Sequence, residues 1–105
     1  MADSPTSRTL KALRGEGWRA AVVERWNPHA KIRHDLFGVV DVLALRGTET
    51  LAVQATSGSN VAARVTKIAD SDATADIREA GWRIEVWGWR KNAKGRWVCR
   101  RVDVS

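Results

Sequence analysis

Short apolar runs broken at glycine-containing turns organise the chain. After Ser4-Pro5, a capping residue followed by one suited to the first helical position, Leu10 and Leu13 fall on one helical face, and Gly15 and Gly17 end the helix. Residues 18–26 alternate, with Ala20, Val22 and Glu24 on one side and Ala21, Val23 and Arg25 on the other, which predicts a strand. Asn27-Pro28-His29 breaks it, and a basic segment with Lys31, Arg33 and His34 leads into Asp35-Leu36-Phe37-Gly38. Residues 39–45 are apolar on both faces except for Asp41, the pattern of a strand covered on both sides. A turn at Arg46-Gly47-Thr48 joins it to a third strand over residues 49–56, making a hairpin.

Ser59 or Asn60 caps the next helix, whose apolar stripe is Val61, Val65 and Ile68. A break near residues 70–72 separates it from a second helical piece that ends at Gly81. Strands over residues 82–90 and 97–104, joined by Lys91-Asn92-Ala93-Lys94-Gly95, form a final hairpin. The order α-β-β-β-α-β-β predicts an α/β fold, a mixed β-sheet flanked by helices, with the crossover making strands three and four parallel.

At 105 residues the chain has the size of one domain spanning residues 1–105. No apolar run approaches the roughly 20 residues that cross a bilayer, and the N-terminus lacks the apolar core of a signal peptide, so the expected location is cytoplasmic. The lone Cys99 excludes an internal disulfide and reads as a strand residue. A net charge of +6 favours a polyanionic partner, most simply nucleic acid, with a generally basic soluble surface as the alternative.

Asp41 carries the most chemical information. A carboxylate amid apolar residues is costly to bury unless it is hydrogen-bonded, paired with a cation such as Arg64, or bound to a metal. Gln54 and Thr56, in Leu51-Ala-Val-Gln-Ala-Thr-Ser, share a strand face, and the hairpin brings Gln54 toward Asp41. Asn60, Arg64 and Lys67 lie at i, i+4 and i+7 on one helix face, which is either functional or simply solvated.

Gly38-Val-Val-Asp41-Val-Leu-Ala-Leu, a turn, and Leu51-Ala-Val-Gln54-Ala-Thr56-Ser resemble the PD-(D/E)XK, or restriction-endonuclease-like, nucleases. In that superfamily an aspartate on one strand of a hairpin is followed on the next by Glu-x-Lys. The likeness extends to the element order, and the arrangement looks like archaeal Holliday-junction resolvases and small phage-encoded relatives. It implies a metal-dependent DNA endonuclease, structure-selective if it follows the resolvases, that uses Mg²⁺ or Mn²⁺ and acts as a homodimer. Gln54 and Thr56 stand where the family has Glu and Lys, so a degenerate nucleic-acid-binding module on the same fold is the alternative. By the same resemblance Asp41, Gln54, Thr56 and Lys67 are the catalytic candidates, Lys67 replacing the missing lysine from the following helix. The family's first acidic residue comes from the first helix, which here offers none, so Glu24 or Asp35 joins Asp41 and Gln54 as a candidate metal ligand. Hard oxygen ligands suit magnesium.

Phosphate contacts fall to Arg33, His34, Asn60, Arg64, Lys91 and Arg96. Trp87 and Trp89 share one side of their strand, where they either pack or stack on bases, and Gly88 leaves the other side open.

Overall fold

The computed structural model describes residues 4–105. Helix α1 (Pro5–Gly15) begins as its sequence dictates. The Ser7 N–H donates to the Ser4 hydroxyl at 3.1 Å and the Ser4 N–H donates back to the Ser7 hydroxyl at 2.8 Å, a reciprocal cap that satisfies two otherwise orphaned donors. Gly17, at φ +89°, turns the chain away from the helix in a conformation that suits glycine.

The strand expected over residues 18–26 is two elements. β1 (Arg19–Val22) joins the main sheet, whereas β2 (Arg25–Asn27) leaves it and pairs with β3 (Ile32–His34) as a separate two-stranded ribbon. Alternation alone does not reveal the break, because it depends on where the partner strand starts. The neighbour of β1 is β4 (Val42–Arg46), in register Val22↔Val42, and one further rung runs from the Val23 N–H to the Asp41 carbonyl at 2.8 Å. Beyond that rung the neighbouring chain is occupied by the Leu36-Phe37-Gly38-Val39 turn, closed by the Leu36↔Val40 bridge. The basic segment thus supplies the turn residue Lys31 and the returning strand of the ribbon, Ile32–His34.

Strand two also starts later than expected, at Val42 rather than Val39, so Asp41 precedes the strand instead of lying within it. Its backbone is nonetheless held from both sides, since the Asp41 N–H donates to the Val53 carbonyl at 2.9 Å.

The main sheet has strand order β1-β4-β5-β6-β7, with β5 (Glu49–Ser57), β6 (Arg83–Lys91) and β7 (Trp97–Asp103). Only the β5–β6 pairing is parallel, so the sheet is mixed and the fold is α/β. Between β5 and β6 the chain forms a 3-10 turn (Gly58–Asn60), α2 (Val61–Ala69) and α3 (Ala73–Glu79). Asn60 occupies the cap position of α2, but its amide donates to the Ser57 hydroxyl at 3.1 Å rather than capping the helix. The break between α2 and α3 is bridged by Thr74, whose buried hydroxyl donates to the Ile68 carbonyl at 2.5 Å.

Each face of the sheet has its own core. Leu13, Trp18, Ala20, Val42, Ala44, Leu51, Val53 and Trp87 pack under α1. Val39, Val40, Ala52, Val61, Ile68, Ile77, Ile84 and Val86 pack under α2 and α3. The face of Gly88 expected to be open is filled: a Cβ there would lie 2.2 Å from Val61 Cγ2 and 3.2 Å from the Gly58 Cα. Glycine at this position lets the start of α2 press onto β6. Trp87 and Trp89 take the packing role, their indole N–H groups donating to Glu85 and Thr9, each at 2.9 Å. Among the described residues, no helix is long and apolar enough to cross a membrane.

Candidate functional site

A cleft of about 510 Å³ opens where β4 begins, β5 ends and α2 starts. Glu24, Arg33, Asp35, Asp41, Gln54, Thr56, Asn60, Arg64 and Lys67 all line it, together with Ser4, Pro5 and Thr6 ahead of and within α1. Antiparallel pairing explains the convergence. Val42 stands opposite Val53, so Asp41 and Gln54 are the next pair out, and the Gln54 Nε2 donates to Asp41 Oδ2 at 2.5 Å.

Asp41 does not pair with Arg64. Its Oδ2 also accepts the Ala55 N–H at 2.8 Å, a backbone donor with no sequence signature. Asp35 arrives from the turn between β3 and β4, which requires Phe37 (φ +55°) and Gly38 (φ +78°) in left-handed conformations. One oxygen of Asp35 accepts from Lys67 Nζ at 3.0 Å and from Gln54 Nε2 at 3.3 Å. Glu24, at the opposite foot of the ribbon, pairs with Arg33 at 3.0 Å; only 12% of the Glu24 side chain is exposed.

Glu24, Asp35 and Asp41 each offer a carboxylate oxygen within 4.8 Å of the others. The sequence left Glu24 and Asp35 as alternatives, and the fold brings both to Asp41. Crowding separates the two aspartates electrostatically. Burial, then the hydrogen bond and charge of Asp35, push the Asp41 carboxyl from its ordinary 3.8 up to about 7, against the pull of the Ala55 N–H and Gln54. Burial also opposes charge on Asp35, but hydrogen bonds from Asp41 and Lys67, the Lys67 ammonium and the Gln54 amide outweigh it and hold that carboxyl below its ordinary value. Below about pH 7 the proton of this pair is therefore held on Asp41, and Asp35 carries the charge.

The carbonyl oxygen of Gln54 is buried and accepts no hydrogen bond among the described residues. Its amide nitrogen, not its oxygen, faces the carboxylates, contrary to the expected role of Gln54 as an oxygen ligand; a half-turn of the amide exchanges the two. Thr56 is buried in the cleft wall and brings no charge.

The remaining phosphate-contact candidates lie outside the cleft. His34 sits on the ribbon with Arg25, Trp26, Asn27 and Pro28. Lys91 lies 5.4 Å from the Trp97 ring, and Arg96 is in the exposed β6–β7 turn, where its N–H donates to the Asn92 side chain at 3.0 Å. Because β5 and β6 are parallel, that turn is at the same end of the sheet as the cleft.

Fold and site together define an α/β protein with a carboxylate cluster and a lysine at the ends of two interior strands of a mixed sheet. The chain matches no protein-family model, no curated protein and no solved structure.

Proposed function

We propose that the chain is a metal-dependent DNA endonuclease that hydrolyses phosphodiester bonds, with selectivity for branched substrates such as four-way junctions. The observation that carries this reading is the convergence of Glu24, Asp35 and Asp41 to within 4.8 Å of one another. The donor set suits a hard divalent cation such as Mg²⁺ or Mn²⁺: three carboxylate oxygens, one of them on a carboxyl raised toward 7 by burial and its neighbour's charge.

When bound, such an ion supplies charge neutralisation at the phosphate and a more acidic water. The protein's own groups do the rest. Asp41, Asp35 and Glu24 would hold the cation, and binding would release the Asp41 proton to solvent. Gln54 orients the Asp41 carboxylate. Lys67, on the rim of the cleft, exchanges Asp35 for the scissile phosphate and steadies its developing negative charge, the role that the neutral Thr56 cannot fill. Arg64 and Asn60, on the same helix face, hold neighbouring phosphates. A homodimer placing two such clefts on two strands suits a symmetric junction. The net charge of +6 favours DNA as partner, and a lone cysteine fits the reducing cytoplasm.

A second reading, a catalytically silent nucleic-acid-binding module, is favoured by the pairing of Asp35 with Lys67 and the hydrogen bond that Gln54, in place of a carboxylate, gives to Asp41. The deciding experiment is cleavage of labelled linear, flapped and four-way-junction DNA in Mg²⁺, Mn²⁺ or EDTA, beside an Asp41→Asn protein. Metal-dependent cutting that Asp41→Asn abolishes is the expected result. Salt-sensitive binding without cutting selects the binding module, and neither cutting nor binding rejects both.

A further inference from the structure

The β2–β3 ribbon has no core of its own. Every side chain of β3 is exposed, as are Arg25 and Trp26 of β2. Trp26 is 59% exposed and Ile32 49%. Two three-residue strands with neither face buried are at best marginal as an isolated hairpin. This one is nevertheless built to hold its shape. The Asn27 carboxamide oxygen accepts the His29 and Ala30 N–H groups at 3.0 and 3.2 Å, and Lys31 closes the turn in a left-handed conformation at φ +54°.

Its charge is one-sided. From Arg25 to His34 the sequence contains Arg25, Lys31 and Arg33 with His29 and His34, and no acidic residue. The pairing puts Arg25 opposite His34 and Asn27 opposite Ile32 on one face, with Trp26 opposite Arg33 on the other. Arg33 lines the cleft and bonds Glu24, so the ribbon rises directly from the carboxylate cluster.

We propose that this ribbon is a DNA-reading arm that enters the major groove of a duplex while the cleft addresses the adjoining backbone. The inference rests on the nuclease reading for its choice of polymer and adds to it the class of substrate, double-stranded DNA. Strands about 4.8 Å apart, with their side chains, make a ribbon that matches a groove roughly 12 Å wide and is too broad for one of roughly 6 Å. Arg25 and Lys31 meet phosphates at the groove walls, and Trp26 supplies apolar contact inside it.

The test is fluorescence anisotropy with a labelled 24-base-pair duplex in EDTA, where cleavage does not intervene, across a salt series. Arg25→Ala and Lys31→Ala are each expected to lower the slope of log affinity against log salt by about 0.9. Arg19→Ala, which removes a cation at the opposite end of the sheet, leaves the slope unchanged. Trp26→Ala weakens binding roughly 10-fold at constant slope, as loss of an uncharged contact does. Netropsin, which fills the minor groove, does not compete. These positions are exposed, so the variants keep the thermal midpoint of the parent, and that midpoint is measured alongside.

Equal effects of Arg19→Ala and Lys31→Ala, displacement by netropsin, tighter binding to single strands than to the duplex, or no duplex binding by the parent chain would each overturn the arm. Absence of cleavage in Mg²⁺ with the ribbon effects intact removes the nuclease reading and leaves the arm standing. Cleavage unaffected by ribbon substitutions does the reverse.

Discussion

Replacing Asp41 by Asn is expected to make the protein more stable in alkaline solution while abolishing its proposed activity. In the fold Asp41 keeps its proton up to about pH 7, whereas the unfolded chain releases it near the ordinary 3.8. A raised folded value means that this group's contribution is fully present below pH 3.8 and is lost as the pH rises through 7. The rise from 3.8 to about 7 corresponds to about 4 kcal/mol, of which about 3 kcal/mol falls between pH 5 and 8.5. Asp35 does not obscure that window. Its folded value is depressed, so its contribution is already present above its unfolded value and is lost only in stronger acid.

The carboxamide introduced by Asp41→Asn mimics the protonated carboxyl: its oxygen still accepts from Ala55 and Gln54, and no charge is buried. Urea unfolding at pH 5 and 8.5 is the assay. The parent should lose roughly 3 kcal/mol more than Asp41→Asn over this interval, since other titrations are common to both. Parallel stability profiles for the two proteins would refute the reasoning and show that Asp41 is ionised and well solvated.

Three further outcomes follow from the same geometry. Manganese at 100 times its dissociation constant should stabilise the parent by about 2.7 kcal/mol at pH 8 in a thermal-shift assay and leave Asp41→Asn unmoved, with affinity falling below pH 7 as the proton on Asp41 competes. Lys67→Met should slow single-turnover cleavage about 10²- to 10³-fold, the usual loss of one charge-stabilising donor, without weakening duplex binding more than a few-fold. Gly88→Ala should cost about 1–3 kcal/mol by denaturant titration, because the new methyl meets Val61 Cγ2 at 2.2 Å and the α2 start must shift; Gly95→Ala, which meets nothing within 4 Å but holds φ +76°, separates backbone strain from collision.

The legible part of the molecule was that governed by period and local chemistry. The Ser4-Pro5 helix start, the β4–β5 hairpin at Gly47, the crossover with its break at residues 70–72 and the basic edge strand follow from patterns within a few residues of each other. Asp41 was legible because a charge among apolar neighbours is conspicuous, Gln54 because the hairpin carries it toward Asp41, and Lys67 because it shares a helix face with Asn60 and Arg64 and the family resemblance asks for a lysine there. The ribbon was not, because Trp18 to Trp26 alternates without interruption, and what divides it is the turn after Asp35 taking the place of a partner strand. The joint presence of Glu24 and Asp35 depends on that same division. Gly88 was misread for a related reason, since a missing side chain looks like open space until another element is known to fill it. The Ala55 N–H left no trace at all, since every non-proline residue carries one.

Glu24 and Asp35 are the last residue before the ribbon and the first after it, and their carboxylate oxygens lie within 4.8 Å. The excursion between them is closed at its base and, among the described residues, pairs with no strand of the main sheet. Length and composition at its exposed tip are therefore free to drift while the two feet stay fixed, as insertions at exposed loop tips generally are tolerated. The interchangeable part is the tip, residues 28–31: it can be rewritten in length and charge while Arg33 keeps its bond to Glu24 and the carboxylates below stay in place.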